Sequence, residues 1–194
     1  MPQTASLLKS IPKEPVQIQT QQQQYFRLVS LVNTLRLMHD HPDALVLCGA
    51  TDLALRVTKR HELLNKIIDL SAIEELRAIS EDAHSIRIGA GACLSDVMVK
   101  VQTQFPALYD MLSVFGSQQI RNLATLGGNL GSASPIGDTM PVLIAYDARV
   151  VLESIGKKRE VPADEFITGY RQTLRKPDEL ITGVVIPKMT NGAV

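Results

Sequence analysis

Apolar residues along this chain change their spacing several times, and each change marks an element. Leu31, Val32, Leu35 and Met38 fall on one face at helical spacing, with Ser30 placed to cap the helix and Pro42 to close it. Ala44-Leu45-Val46-Leu47-Cys48 is a short unbroken apolar run that suits a strand buried on both faces, and it stops abruptly at Gly49-Ala50-Thr51-Asp52. Lys66 to Leu70 reads as a second such strand. The following Ser71-Ala72-Ile73-Glu74 carries the S-x-x-E spacing of a capping box, so a short helical turn is predicted there. Residues 25–76 thus alternate helix and strand, which predicts a small parallel α/β unit.

After Leu76 the pattern shifts. Ala78-Ile79-Ser80 and Ser85 to Gly89 flank a polar turn and predict a hairpin. Val97, Met98 and Val101 place a helix over 95–104, and Leu108, Met111, Leu112 and Phe115 place another over 106–115. Asp138 to Tyr146 predicts a further helix with Pro141 in its first turn. Val150 to Glu153 and Arg159 to Val161, joined across the turn Ile155-Gly156-Lys157-Lys158, predict a second hairpin, and Leu180 to Ile186 a last strand stopped by Pro187. The second half therefore predicts antiparallel α+β structure. The expected division is a linker or flexible arm over 1–24, a first unit over 25–78 and a second over 79–190. The arm is expected because Gln17, Gln19 and Gln21 to Gln24 bury too little apolar surface to offset the entropy of ordering.

Composition narrows the function more than the fold. The chain has 194 residues, with twenty basic and twenty acidic side chains, so its global electrostatics offer no pull toward nucleic acid or an anionic membrane. No apolar run approaches the ~18 residues needed to span a bilayer, and the N-terminus shows no secretory signal. Two cysteines, Cys48 and Cys93, are too few for a disulfide framework, a four-Cys zinc site or an iron–sulfur cluster, and they read as reduced thiols of a cytoplasmic protein. No tryptophan and 4% aromatic residues weigh against a face built from stacking side chains.

Two segments could carry chemistry. At Gly49 to Asp52 a glycine lets the backbone come close to a ligand, consecutive N–H groups at a strand end form a nest suited to a phosphate, and Thr51 adds a hydroxyl. The plainer alternative is a tight strand-to-helix turn with Thr51 or Asp52 as N-cap. Residues 116–138 pack five glycines and many hydroxyl and amide side chains between two helices, with only Arg121 and Asp138 charged. A structureless loop of that length is uncommon unless it binds something. Backbone N–H groups and small hydroxyls suit a pyrophosphate, and Asp138 could accept hydrogen bonds from a ribose or ribityl chain. The alternative here is a surface loop or subunit contact. Gly89-Ala90-Gly91 imitates a dinucleotide fingerprint, but Leu94 stands where the third glycine is required, so it reads as a strand end. The four histidines are scattered over polar segments, so neither a catalytic triad nor a metal cluster can be built from them, and Cys48 reads as a small buried apolar residue.

Gly49-Ala50-Thr51-Asp52-Leu53 with Val57-Thr58-Lys59, and about seventy residues on Ile120-Arg121-Asn122-Leu123-Ala124-Thr125-Leu126-Gly127-Gly128-Asn129 and Ala133-Ser134-Pro135-Ile136-Gly137-Asp138, resemble the FAD-binding domain of the molybdenum hydroxylases. That family includes xanthine dehydrogenase, aldehyde oxidase and carbon monoxide dehydrogenase, and the likeness is strongest to the small, FAD-carrying subunit of bacterial xanthine dehydrogenases. Phe166 to Arg171 and Glu179-Leu180-Ile181 extend it over roughly residues 25–187.

The resemblance implies an α+β, two-subdomain FAD-binding domain of the vanillyl-alcohol-oxidase/PCMH type. It implies that main-chain N–H groups of Leu47, Cys48, Gly49, Ala50, Thr51, Asp52 and Leu53 hold the FAD pyrophosphate, with Thr125, Gly127, Gly128 and Asn129 gripping it from the other side. Asp138 would bind a hydroxyl of the FAD chain, Phe115 would pack near the adenine, and Ile181 would lie near the flavin. Electrons would arrive from a molybdenum cofactor through two [2Fe-2S] clusters on other domains or subunits, reach FAD, and pass to NAD+. Ala50 departs from the commoner Gly-Gly-Thr-Asp sequence, which is tolerable only where that residue needs no positive φ. The family also implies a further C-terminal subdomain, whereas this chain stops at Val194. Three function classes follow: an FAD-binding electron-transfer module of an oxidoreductase, which would not oxidise a purine alone; an incomplete FAD-fold module serving as a docking subunit; and an NAD-linked Rossmann dehydrogenase, which the incomplete fingerprint disfavours.

Overall fold

The computed structural model describes residues 14–188. Two larger sheets and one small hairpin hold the strands among the described residues. The first takes β1 (Val16–Gln19), β2 (Gln24–Arg27), β3 (Leu45–Leu47) and β4 (Lys66–Asp69) in the order β1-β2-β4-β3. Strands β2, β4 and β3 run parallel, as the alternating helices require, while β1 pairs antiparallel with β2. Helix α1 (Leu31–Asp40) links β2 to β3 and buries Thr34, Leu35 and Met38, and the last two pack with Phe26, Ile68 and Leu70 into the smaller core. Helix α2 (Leu53–Arg60) links β3 to β4 and buries no residue.

Three expectations for this half need correction. Residues 16–24 do not belong to the flexible arm expected over 1–24. Residues 1–13 lie outside the described residues, but Val16–Gln19 is a strand, turned at Thr20, whose N–H donates to the Gln23 carbonyl at 2.8 Å and whose Oγ1 accepts from the Gln23 N–H at 3.0 Å. An edge strand needs one paired neighbour rather than a buried face, so glutamines suffice. Strand β3 is not buried on both faces: it ends the sheet, and Val46 is 37% exposed. The Ser71-x-x-Glu74 box is not made either. The helical turn is a 3₁₀ segment over Glu74–Leu76 with Ile73 at its cap, and the Ser71 N–H donates to Asp69 Oδ1 at 2.7 Å. Asp69 also accepts from the Tyr25 hydroxyl at 2.6 Å, and burial with this bond pushes Tyr25 up to about 12.

The second sheet has β5 (Ile79–Glu81), β6 (Ser85–Gly89), β7 (Arg149–Ser154), β8 (Lys157–Pro162) and β11 (Leu180–Pro187) in the antiparallel order β5-β6-β11-β7-β8. Between β8 and β11 come the short helix α8 (Ala163–Phe166) and the small hairpin β9 (Ile167–Gly169) and β10 (Gln172–Thr173). Helices α3 (Leu94–Val101), α4 (Pro106–Val114) and α7 (Thr139–Ala145) contribute to the larger core, which holds Phe105, Leu108, Leu112, Leu143 and Phe166, all with no exposed surface. The long loop expected over 116–138 is largely folded: α5 spans Gln118–Arg121 and α6 spans Leu126–Ser132. A helix containing Gly127, Gly128 and Gly131 has poor intrinsic propensity, so its stability comes from docking. At the start of β11, Leu180 belongs to the smaller core and Ile181 to the larger, so that strand ties the two together.

Candidate functional site

The carboxyl end of a parallel strand opens a crevice where ligands bind in α/β sheets. Here β3 ends at Leu47, and residues 48–52 run from it into α2. The N–H groups of Gly49, Ala50, Thr51, Asp52 and Leu53 donate to no acceptor among the described residues. Asp52 occupies the N-cap position of α2 but makes no side-chain capping bond, so the plain strand-to-helix turn does not account for this loop. Asp52 instead faces Arg171 Nη1 at 3.9 Å.

Ala50 sits at φ 59°, in the left-handed region. The condition under which alanine is tolerable here is therefore not met, and the conformation costs about 1–2 kcal/mol. An Ala50→Gly substitution is expected to raise apo stability by roughly 1 kcal/mol, or about 2–4 °C in melting temperature. A thermal melt checks this, and a fall in melting temperature would show the strain assignment to be wrong.

The second glycine segment forms the facing wall because nothing larger than glycine fits. A Cβ on Gly49 would lie 1.9 Å from the Leu123 carbonyl oxygen, and one on Gly127 would lie 2.5 Å from Ala90 Cβ. Gly127 N–H donates to Ala90 O at 2.8 Å, Leu126 N–H to Ala92 O at 3.2 Å, and Leu94 N–H to Ala124 O at 2.9 Å. Thr125, 5% exposed, caps α6 by accepting from Gly128 N–H at 3.1 Å. The N–H groups of 126–129 are thus engaged within the protein, and what this segment offers a ligand is a flat glycine surface and the Asn129 amide. Asn129 Oδ1 accepts from the buried Thr139 hydroxyl, which leaves its Nδ2 hydrogens without a described acceptor.

These walls enclose a cleft of about 720 Å³. Of the residues singled out in the sequence, Leu47, Cys48, Gly49, Ala50, Thr51, Asp52, Leu53, Phe115, Thr125, Gly127, Gly128, Asn129 and Ile181 line it, whereas Asp138 does not. Asp138 is exposed at the start of α7 without a capping bond, and its neighbour Gly137 lines the cleft instead. Phe115 is set by Arg121, whose Nη1 donates to the carbonyls of Phe115 at 2.8 Å and Gly116 at 3.0 Å. Burial, with the nearby charge of Asp69, pushes the Cys48 thiol up to about 11, so it is a neutral wall atom at neutral pH. Arg175 and Pro177 also line the cleft and carry no signal of their own in the sequence, and Leu180, at the start of the predicted last strand, joins them. Among the described residues no three or more metal-binding side chains cluster, and no helix is long and apolar enough to cross a membrane.

Residues 19–189 match the family model described as FAD binding domain in molybdopterin dehydrogenase. The chain belongs to that family. This FAD-binding domain is 31% identical over 197 residues to mouse (Mus musculus) xanthine dehydrogenase/oxidase, covering 95% of this chain and 15% of that protein. To the nicotinate dehydrogenase FAD-subunit of Eubacterium barkeri it is 32% identical over 172 residues, covering 85% of this chain and 58% of the relative. A carbon monoxide dehydrogenase from Hydrogenophaga pseudoflava, in a form lacking the Mo-pyranopterin moiety of the molybdenum cofactor, superposes with a TM-score of 0.83 at 29% identity, over 90% of this chain and 62% of that one. The FAD-binding domain therefore spans less than two thirds of each of these relatives. Its parallel sheet followed by an antiparallel one is the two-part PCMH-type fold, its cofactor is FAD, and its family is one of oxidoreductases.

Proposed function

We propose that the cleft between residues 47–53 and α6 holds FAD, and that the domain passes electrons from [2Fe-2S] clusters on partner domains or subunits to NAD+, as one part of a xanthine dehydrogenase-like molybdenum hydroxylase in the cytoplasm. The observation that carries the reading is the row of five N–H groups without acceptors, Gly49 to Leu53, on residues that line one cleft with Gly127, Gly128 and Gly131. Such a row binds a diphosphate through oriented dipoles and needs no net positive charge on the chain. FAD, when bound, supplies the two-electron redox chemistry.

Every other role belongs to this chain. Gly49 and Gly127 bring the two walls close enough to exclude water from the diphosphate. The free Asn129 amide hydrogens reach for a phosphate or hydroxyl oxygen, held in place by the buried Thr139. Phe115 packs beside the adenine, Asp138, beside the cleft-lining Gly137, accepts from a hydroxyl of the FAD chain at the rim of the cleft, and Ile181, in contact range of Gly131, bounds the flavin side. The functional division lies near 76–80, between the two sheets. FAD at about 100 times its dissociation constant should add about 2.7 kcal/mol, which raises the melting temperature by roughly 5–10 °C. An unchanged melting temperature in excess FAD would count against this reading and favour a docking role for the fold.

A further inference from the structure

The segment between β10 and β11 brings one cation to the cleft. Arg175 Nη1 donates to the carbonyls of Glu179 at 2.7 Å and Lys176 at 3.2 Å, which pins the guanidinium against its own loop. Its Nε and Nη2 edge has no described acceptor, and Arg175 is within 4.0 Å of no described carboxylate. The nearest acid in sequence is already committed. Glu179, 6% exposed, receives Arg159 Nε at 2.7 Å and Nη2 at 2.8 Å on its two oxygens, and also the Lys176 N–H at 2.8 Å. Asp52, the one acid lining the cleft among the described residues, faces Arg171 instead. No other lysine or arginine lines the cleft among the described residues.

A pinned guanidinium with a free two-donor edge and no counter-ion is built to take an anion bidentately, since its ordering is complete before the ligand arrives. Apart from Arg175, the cleft offers a phosphate its open backbone N–H groups, small hydroxyls, the Asn129 amide and the His41 ring. We infer that Arg175 is the charge-reading residue of this cleft, donating to a phosphate oxygen of the flavin nucleotide. The inference rests on the FAD reading above and adds to it a source of specificity that the loop dipoles do not provide.

The test is a fluorescence titration of FAD against the wild-type chain, Arg175→Gln and Arg175→Lys at 50 mM and 500 mM KCl, beside apo melting curves. Glutamine can still donate to the Glu179 carbonyl, so the loop keeps its pin. Loss of a charge-assisted pair should weaken FAD binding about 10- to 100-fold in Arg175→Gln, with the lysine variant between. The wild-type affinity should fall with salt, and the glutamine variant should lose most of that salt dependence, which a purely structural residue would not alter. Wild-type affinity in Arg175→Gln, or a loss of affinity with the salt dependence intact, overturns the inference and leaves the FAD site standing. A wild-type chain that takes up no FAD overturns both.

Discussion

Replacing Gly49 with alanine should abolish FAD uptake and lower the melting temperature by about 10 °C. The added Cβ would stand 1.9 Å from the Leu123 carbonyl oxygen and 2.8 Å from its carbonyl carbon, both backbone atoms that no rotamer change can move. One of the two segments must retreat. Leu123 is tied by its N–H to Ile120, and Ala124, which follows it, accepts from Leu94 N–H at 2.9 Å. On the other side, Leu47 is tied to β4 through the Leu70 N–H at 2.7 Å. Retreat of either breaks bonds of this kind, at about 3–4 kcal/mol in all, which corresponds to roughly 10 °C for a chain of this size. It also tilts the open N–H groups of 49–53 away from the glycine wall, so the same change removes the ligand site. Differential scanning fluorimetry with and without FAD checks both halves: the apo melt should fall and the FAD-induced rise should vanish.

Gly127→Val acts from the opposite wall. Gly127 is buried in the first turn of α6, and even a methyl group would meet Ala90 Cβ at 2.5 Å and Ala90 O at 2.8 Å. Ala90 cannot yield freely, because its N–H donates to Thr182 O at 3.1 Å in β11. Valine's slightly better helix propensity than glycine's offsets only a few tenths of a kcal/mol of this clash. The expected loss is about 3–4 kcal/mol in equilibrium denaturation, with FAD affinity reduced by roughly 100-fold or more as α6 leaves the 89–93 turn. A denaturant titration at unchanged slope, read beside an FAD titration, separates a displaced wall from a globally loosened fold.

Periodic apolar spacing made the second sheet and its helices readable, because Val97, Leu108 and Leu112 on helices and Val150 to Leu152 on a strand are buried by their own patterns. Strand β1 escaped because glutamines on a sheet edge carry no such pattern. Helix α6 escaped because its stability resides in contacts with Ala90 and Ala92, which no local propensity announces. Strand β3 has the composition of a buried strand but faces a cleft, so its apolar run forms a cleft wall rather than a core.

The site divides in the same way. Its glycines are legible because close backbone approach demands them, at Gly49 and Gly127 above all. Ala50 was legible as a departure, but its positive φ was not. Arg175 and Pro177 come to the cleft from more than a hundred residues beyond Gly49, through the pairing of β11 with β6 and β7, and nothing local marks them. Asp138, prominent in sequence, stands exposed beside the cleft rather than within it.

The visible absorption spectrum of the chain after incubation with FAD and gel filtration tests the central claim most directly. Retention of a flavin spectrum at close to one FAD per chain is the predicted result, and its loss in the Gly49→Ala variant places the flavin in this cleft. A colourless wild-type protein, folded by circular dichroism and eluting free of flavin, would contradict the account.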